Sequence, residues 1–262
     1  MEEQDLYSEP GETRQRRDAT TVAEYMESLL VTLLLALFGT SFVVQAFKIP
    51  SPSMERTLLV GDHLLVNKFV FGGRGAWYEK FLPYRPIERG DIIVFKYPYG
   101  DHPHFVKRVI GLPNDHLKLM DQQVYVNGKL LNEPYVVHDP AGFYDPFNRN
   151  FPPAHSQYLS PSVVLPWARE MKKYIAGDEI VVPRGKYFAM GDNRDKSQDS
   201  RYWGFVDREA IMGRPFLIYW SVGASSSDYG EANFLQRVRG VFDTLAHLPS
   251  RTRWSRMLRT VH

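Results

Sequence analysis

The 262-residue sequence contains no cysteine. Thiol nucleophiles, disulfides and cysteine-bound zinc are therefore excluded, and the absence suits any redox compartment. Net charge is nearly absent too. The 32 Lys and Arg against 30 Asp and Glu leave only +2, too little for a nucleic-acid surface spread over the molecule. Gly-x-Ser-x-Gly does not occur, so none of the eight histidines completes a nucleophile elbow of that type. There is no internal repeat. A last absence is local: from Ser28 to Phe47, twenty consecutive residues carry no charge.

That run is long enough to cross a bilayer, since twenty helical residues rise roughly 30 Å. It starts too far from Met1 and runs too long for a removable signal sequence. The leader before it, with Glu2, Glu3, Asp5, Glu9 and Glu12, is acidic where such a signal begins basic. The expectation is a retained helix over 28–47, preceded by a polar leader (1–27) without regular structure. Flanking charge does not orient it, because Arg14, Arg16 and Arg17 on one side balance Lys48, Arg56 and Lys68 on the other. About 215 residues follow, enough for a substantial core.

Those residues read mainly as β-structure. Leu58–Val66 suggests two short strands around Gly61-Asp62, and Gly72–Gly75 a loop. Ile92–Tyr97 and Phe105–Ile110 are β-branched and aromatic, and Asn127-Gly128 between apolar runs predicts a type I′ hairpin. Strand patterning returns at 179–182 and 187–190. Between them, residues 132–177 hold seven prolines and many aromatics, which predicts an irregular insertion with a short helix near Trp167–Tyr174. The catalytic core is thus expected over 48–131 and 178–222. Residues 223–262 form a basic tail; from Gln236 to His262 it has arginines 237, 239, 251, 253, 256 and 259 against one acid, Asp243, with Trp254, Met257 and Leu258 interleaved. Such a tail fits a membrane surface, nucleic acid or a solvated end, and beside a membrane span lipid head groups are favoured over nucleic acid.

Three segments hold groups that can do chemistry. Pro50 and Pro52 stiffen the chain around Ser51 and Ser53, and extended backbone projects both hydroxyls to one side. A serine needs a base. In Phe105-Val106-Lys107-Arg108-Val109-Ile110, alternation puts Lys107 on one face and Arg108 on the other. Only lysine can lose its proton, and burial lowers its pKa toward neutrality. Asp101, His102, Pro103 and His104 read as a polar loop, with metal binding as the alternative. The third segment, Gly191–Gly204, packs charges and hydroxyls after a strand, which suggests a loop built on ion pairs. No glutamate closes it as a calcium loop requires.

Taken in order, Pro-Ser-Pro-Ser-Met after a span, Arg89-Gly90-Asp91-Ile92-Ile93-Val94-Phe95, Lys107–Pro113 and Gly191–Gly204 resemble bacterial type I signal peptidases. The resemblance runs from the span to about Gly213. It implies a β-rich catalytic core of the signal-peptidase type carrying an irregular inserted subdomain. It further implies Ser53 as nucleophile and Lys107 as general base, with the Ser53 N–H and Ser51 hydroxyl as oxyanion hole and Ser197 orienting the lysine. Asp199, Arg201, Asp192 and Arg194 are implied as structural support, and Ile49, Met54, Leu58, Phe105 and Val106 as a small apolar pocket. No cofactor or metal is implied. The substrates implied are signal-peptide-bearing preproteins emerging from the secretion translocon, cleaved after Ala-x-Ala. They would be met at the lipid bilayer of the bacterial inner membrane, with the leader cytoplasmic and the domain outside. Departures are Arg56, where the family commonly has proline, and Lys196, where asparagine is usual. A specialised processing peptidase for pilin or conjugation substrates, and a non-enzymatic anchored β-domain, are the competing readings.

Overall fold

The computed structural model describes residues 10–39, 44–72, 84–100, 104–139, 145–153, 160–223 and 248–262. The acidic leader before Pro10, the loop at Gly73–Gly75, the Asp101–Pro103 part of the polar loop, and Arg237, Arg239 and Asp243 of the tail lie outside the described residues. The chain divides into two compact units, Met1–Val44 and Gln45–His262.

The first unit is a helix, α1 (Pro10–Phe38). Proline is tolerated at a helix start because its missing N–H has no partner there. Within α1, Thr21–Phe38 is an 18-residue stretch of mean hydropathy 1.6 with none of it buried in the protein. Among the described residues it is the one helix long and apolar enough to cross a membrane. This corrects the expected boundaries. The helix begins inside the supposed irregular leader and ends at Phe38, and Val44–Lys48 of the apolar run is a strand. Apolar content cannot separate helix from strand in a short run, whereas Gly39 and the β-branched pair Val43-Val44 disfavour helix.

The second unit carries two antiparallel sheets. The larger contains β1 (Val44–Lys48), β2 (Asp62–Asn67), β3 (Ile92–Phe95), β4 (Phe105–Gly111), β10 (Lys186–Met190), β11 (Val206–Asp207), β12 (Ile211–Ser221) and β13 (Arg259–Thr260). Its order is β1-β2-β12-β3-β4-β10-β11, with β13 also on β12. Ile92–Phe95 is buried on both faces, as its unbroken apolar run requires. The smaller sheet contains β5 (His116–Met120), β6 (Gln123–Val126), β7 (Lys129–Leu130), β8 (Ile175–Ala176) and β9 (Glu179–Val181), ordered β7-β6-β5-β9-β8. The β6–β7 turn is the expected hairpin, with Asn127 at φ 51° and Gly128 at φ 75°.

The proline-rich stretch is irregular, with short helices α2 (Pro146–Arg149) and α3 (Leu165–Glu170), but it is not a separate body. Phe147, Phe151, Trp167 and Met171 are buried in one cluster with Phe95, Val109, Leu117 and Phe188 of the sheets. Prolines break the periodic pattern; the aromatics between them still fill the core. A second cluster joins Ile49, Met54, Leu58, Leu64, Ile92, Ile218 and Val261.

Val261 belongs to the supposed basic tail. Beyond helix α5 (Leu248–Arg251), Arg256 sends two bonds to the fully buried Asp62 carboxylate, at 2.6 and 3.2 Å, and one to Thr57 O at 3.0 Å. Arg253 donates to Val60 O at 2.9 Å. These arginines therefore face inward. Asp62, buried without them, would be an uncompensated charge.

Candidate active site

Ser53 is presented by the backbone before any tertiary contact acts. Ser51 is extended (φ −130°, ψ 153°), and Pro52 opens a single 3₁₀ turn, Pro52–Met54, in which Ser53 and Met54 are buried. Proline suits that first position because it has no N–H to leave unsatisfied. Ser53 O accepts from the Asn193 N–H at 3.1 Å, which fastens the turn to the loop after β10.

Strand β4 supplies the base. Lys107 and Arg108 point to opposite faces and are each only 4% exposed. Lys107 Nζ donates to Ser53 Oγ at 2.7 Å, joining groups 54 positions apart. Burial pushes the lysine down from its ordinary 10.5 to about 8. The charges of Asp199 and Asp192 oppose that fall, and Arg201 adds to it. Ser51 Oγ lies 3.3 Å from Ser53 Oγ.

The loop after β10 forms the floor. A Cβ on Gly191 would stand 2.3 Å from Ser197 Oγ and 2.4 Å from Ser53 O, so only glycine allows this close approach. Ser197 was expected to bond Lys107. Among the described residues its buried hydroxyl has no hydrogen-bond partner, although it is near enough to favour the charged form of Asp199. Asp199 also caps the short helix α4 (Ser200–Trp203) and pairs with Arg201 at 2.8 and 2.9 Å, both side chains fully buried. Burial alone would raise the Asp199 pKa; Arg201 and the Gly191 N–H bring it below the ordinary carboxylate value.

Asp192 and Arg194 share the loop but take partners elsewhere. Arg108 grips Asp192 with bonds of 2.9 and 2.8 Å, and Thr57 adds a third at 2.5 Å. Arg194 pairs with Glu133 at 2.5 and 3.1 Å. Arg201 reaches back to Asn148 Oδ1 at 3.0 Å. Sequence reasoning missed Arg108, Thr57, Glu133 and Asn148 as supports. The available signal was Arg108 itself: a guanidinium in an apolar strand cannot lose its charge and must find a carboxylate.

A cleft of about 330 Å³ opens beside Ser53, with Ile49, Met54, Phe105 and Val106 among its walls. Leu58 is fully buried in the cluster with Met54 and Ile49, behind the wall instead of on it. Phe47, His104 and Gln198 line the cleft as well, though the sequence did not single them out for this. Lys196 stands at the cleft but pairs with Asp139 at 2.5 Å, half exposed, and does not act on Lys107. Arg56 adopts φ 82°, a conformation proline cannot reach with its φ held near −65°, so this chain turns differently after the nucleophile segment.

Residues 22–220 match the family described as signal peptidase, peptidase S26. Signal peptidase I of Pseudomonas aeruginosa is 36% identical over 214 residues, covering 76% of this chain and 73% of that protein. Signal peptidase I of Aquifex aeolicus is 37% identical over 256 residues, covering 85% and 94%. A crystal structure of a signal peptidase I from Enterococcus faecalis V583 is 31% identical, covers 50% of this chain and 97% of that one, and superposes with a TM-score of 0.33, too partial to bear on the fold. With sequence matches of that extent lying over a buried serine–lysine pair, the chain belongs to the signal peptidase family, peptidase S26.

Proposed function

We propose that this peptidase removes signal peptides from preproteins with Ser53 as nucleophile and Lys107 as general base. The observation that carries this is the 2.7 Å Lys107–Ser53 contact, made by a lysine whose burial brings its pKa to about 8. A neutral amine at that distance takes the hydroxyl proton as Ser53 Oγ bonds to the scissile carbonyl carbon. The carbonyl oxygen gains negative charge and is met by the Ser53 N–H and the Ser51 hydroxyl. A donor of that kind contributes about 3 kcal/mol to lowering the barrier. The intermediate then collapses, the C–N bond breaks, and Lys107 returns the proton to the departing amine. Water attacks the acyl-enzyme as Lys107 takes its proton; the ester C–O bond then breaks, Ser53 Oγ takes that proton back from Lys107, and the signal peptide leaves with a new carboxyl terminus.

An extended substrate has a ready edge. The β10–β4 pairing stops at Met190↔Arg108, and the cleft lies along Phe105–Lys107 just beyond it. Strand addition there brings alternate side chains to the apolar wall of Ile49, Met54, Phe105 and Val106, sized for alanine. Asp199–Arg201 and Asp192–Arg108 hold the loop and the β4 strand that flank the dyad. The Thr21–Phe38 stretch anchors the enzyme in the bacterial inner membrane with its leader cytoplasmic, where preproteins leave the translocon.

The test is cleavage of a preprotein bearing Ala-x-Ala by the full chain in detergent. Wild type is expected to cut after the second alanine; Ser53→Ala and Lys107→Met are expected to lose cleavage with unchanged circular dichroism. Full activity in either folded variant refutes the dyad.

A further inference from the structure

We propose that a second pocket, which shares no lining residue with the cleft, binds a phosphate-bearing anion through Arg56 and Arg259. The pocket has a volume of about 320 Å³, and Thr57, Tyr135, Ile218 and His262 complete most of its lining. Among the described residues, no Asp or Glu side chain lines it, and the His262 backbone oxygen lies 3.5 Å from the Arg108 guanidinium. Three acids bonded to or beside lining residues are already engaged: Asp192, to which lining Thr57 donates, with Arg108; Glu133 with Arg194; and Glu55 with the Asn193 amide at 3.2 Å. The Tyr135 hydroxyl donates to Glu133 at 3.0 Å, and the Arg108 guanidinium covers the Tyr135 ring at 4.0 Å. The two arginines differ in this respect. Among the described residues, neither the Arg56 nor the Arg259 side chain has a hydrogen-bond or ion-pair partner.

Both are nonetheless held by their backbones. Arg259 lies in β13, in register with Ile218 of β12. Arg56 sits at φ 82°, where a glycine would be unstrained and an arginine is not. Strain of this kind persists only where surrounding structure over-determines it, and here it presents a guanidinium to the pocket. Two guanidiniums offer planar forks of donors that match phosphate oxygens two at a time, which a point charge cannot do. His262, whose Nε2 is 2.8 Å from Thr260 Oγ1, stands beside them. The chemistry selects a phosphate group, whether free or carried by a lipid head group.

The experiment titrates the full chain in dodecyl maltoside with inorganic phosphate and, separately, with dihexanoyl phosphatidylglycerol, by calorimetry and ³¹P NMR. Saturable binding is expected, weakened roughly tenfold or more in Arg56→Gln/Arg259→Gln, since each substitution removes charged hydrogen bonds. Both side chains are exposed, so the variant keeps its fold. Binding of both ligands makes free phosphate sufficient, and binding of the lipid alone identifies a head-group site. No saturable binding of either ligand, or equal affinity in the double variant, overturns the proposal.

Discussion

Replacing Lys107 by methionine should abolish cleavage and at the same time stabilise the folded protein at neutral pH. Bringing a lysine from 10.5 to about 8 by burial corresponds to a cost of about 3 kcal/mol for keeping its proton in the folded state. Methionine fills a similar volume without that cost and forfeits one hydrogen bond, about 1 kcal/mol. The variant should therefore be about 2 kcal/mol more stable at pH 7. The sign follows from proton counts. Between about 8 and 10.5 the unfolded chain holds more protons than the folded one, so wild-type stability climbs through that window. Below it both states are protonated and the full cost persists; above it the cost is gone. Urea unfolding of both proteins in detergent, followed by tryptophan fluorescence at pH 7 and pH 11, should show the variant ahead at pH 7 and slightly behind at pH 11. A stability difference that stays constant with pH would show that Lys107 is not depressed by burial and would refute the reasoning.

Further outcomes follow from the same geometry. In wild type, kcat/KM should rise roughly tenfold between pH 7 and 9 as a base of pKa about 8 is freed of its proton. Lys196→Asn should leave that profile where it is, because Lys196 is held by Asp139; a displaced profile in stopped or continuous assays counts against this. Gly191→Ala puts a methyl group 2.4 Å from Ser53 O and should cut kcat by at least roughly tenfold by displacing the nucleophile turn, with full kcat as the contrary result. Arg256→Met leaves buried Asp62 with Arg253, at 3.8 Å, as its remaining cation, a loss of about 3 kcal/mol in urea unfolding; a change below about 1 kcal/mol would mean Arg253 takes over the pairing.

Much of the fold was legible because its signals are local. Ile92–Phe95 is a strand since a short unbroken β-branched and aromatic run suits a strand buried on both faces, and Asn127-Gly128 makes a hairpin since those residues tolerate positive φ. The end of the helix at Phe38 was not legible, because hydropathy is blind to the difference between a helix and a strand in the nine uncharged residues that follow. Nor was the fate of residues 132–177. Prolines conceal periodicity, and only the packed core reveals that Phe147 and Trp167 are part of it.

The sequence alone determined the chemistry on offer: no thiol, a proline-braced serine pair, one lysine in an apolar strand, and a loop dense in charges. Residue type sets which groups can lose a proton, and spacing sets which face a strand shows. The tertiary structure decided how those groups pair. It joined Lys107 to Ser53 across 54 positions, gave Asp192 to Arg108 and Arg194 to Glu133, and turned Arg256 inward onto Asp62. Burial is the reason. A charge removed from water must find its partner wherever the fold brings one, and a lysine denied a bonded carboxylate holds its proton less tightly.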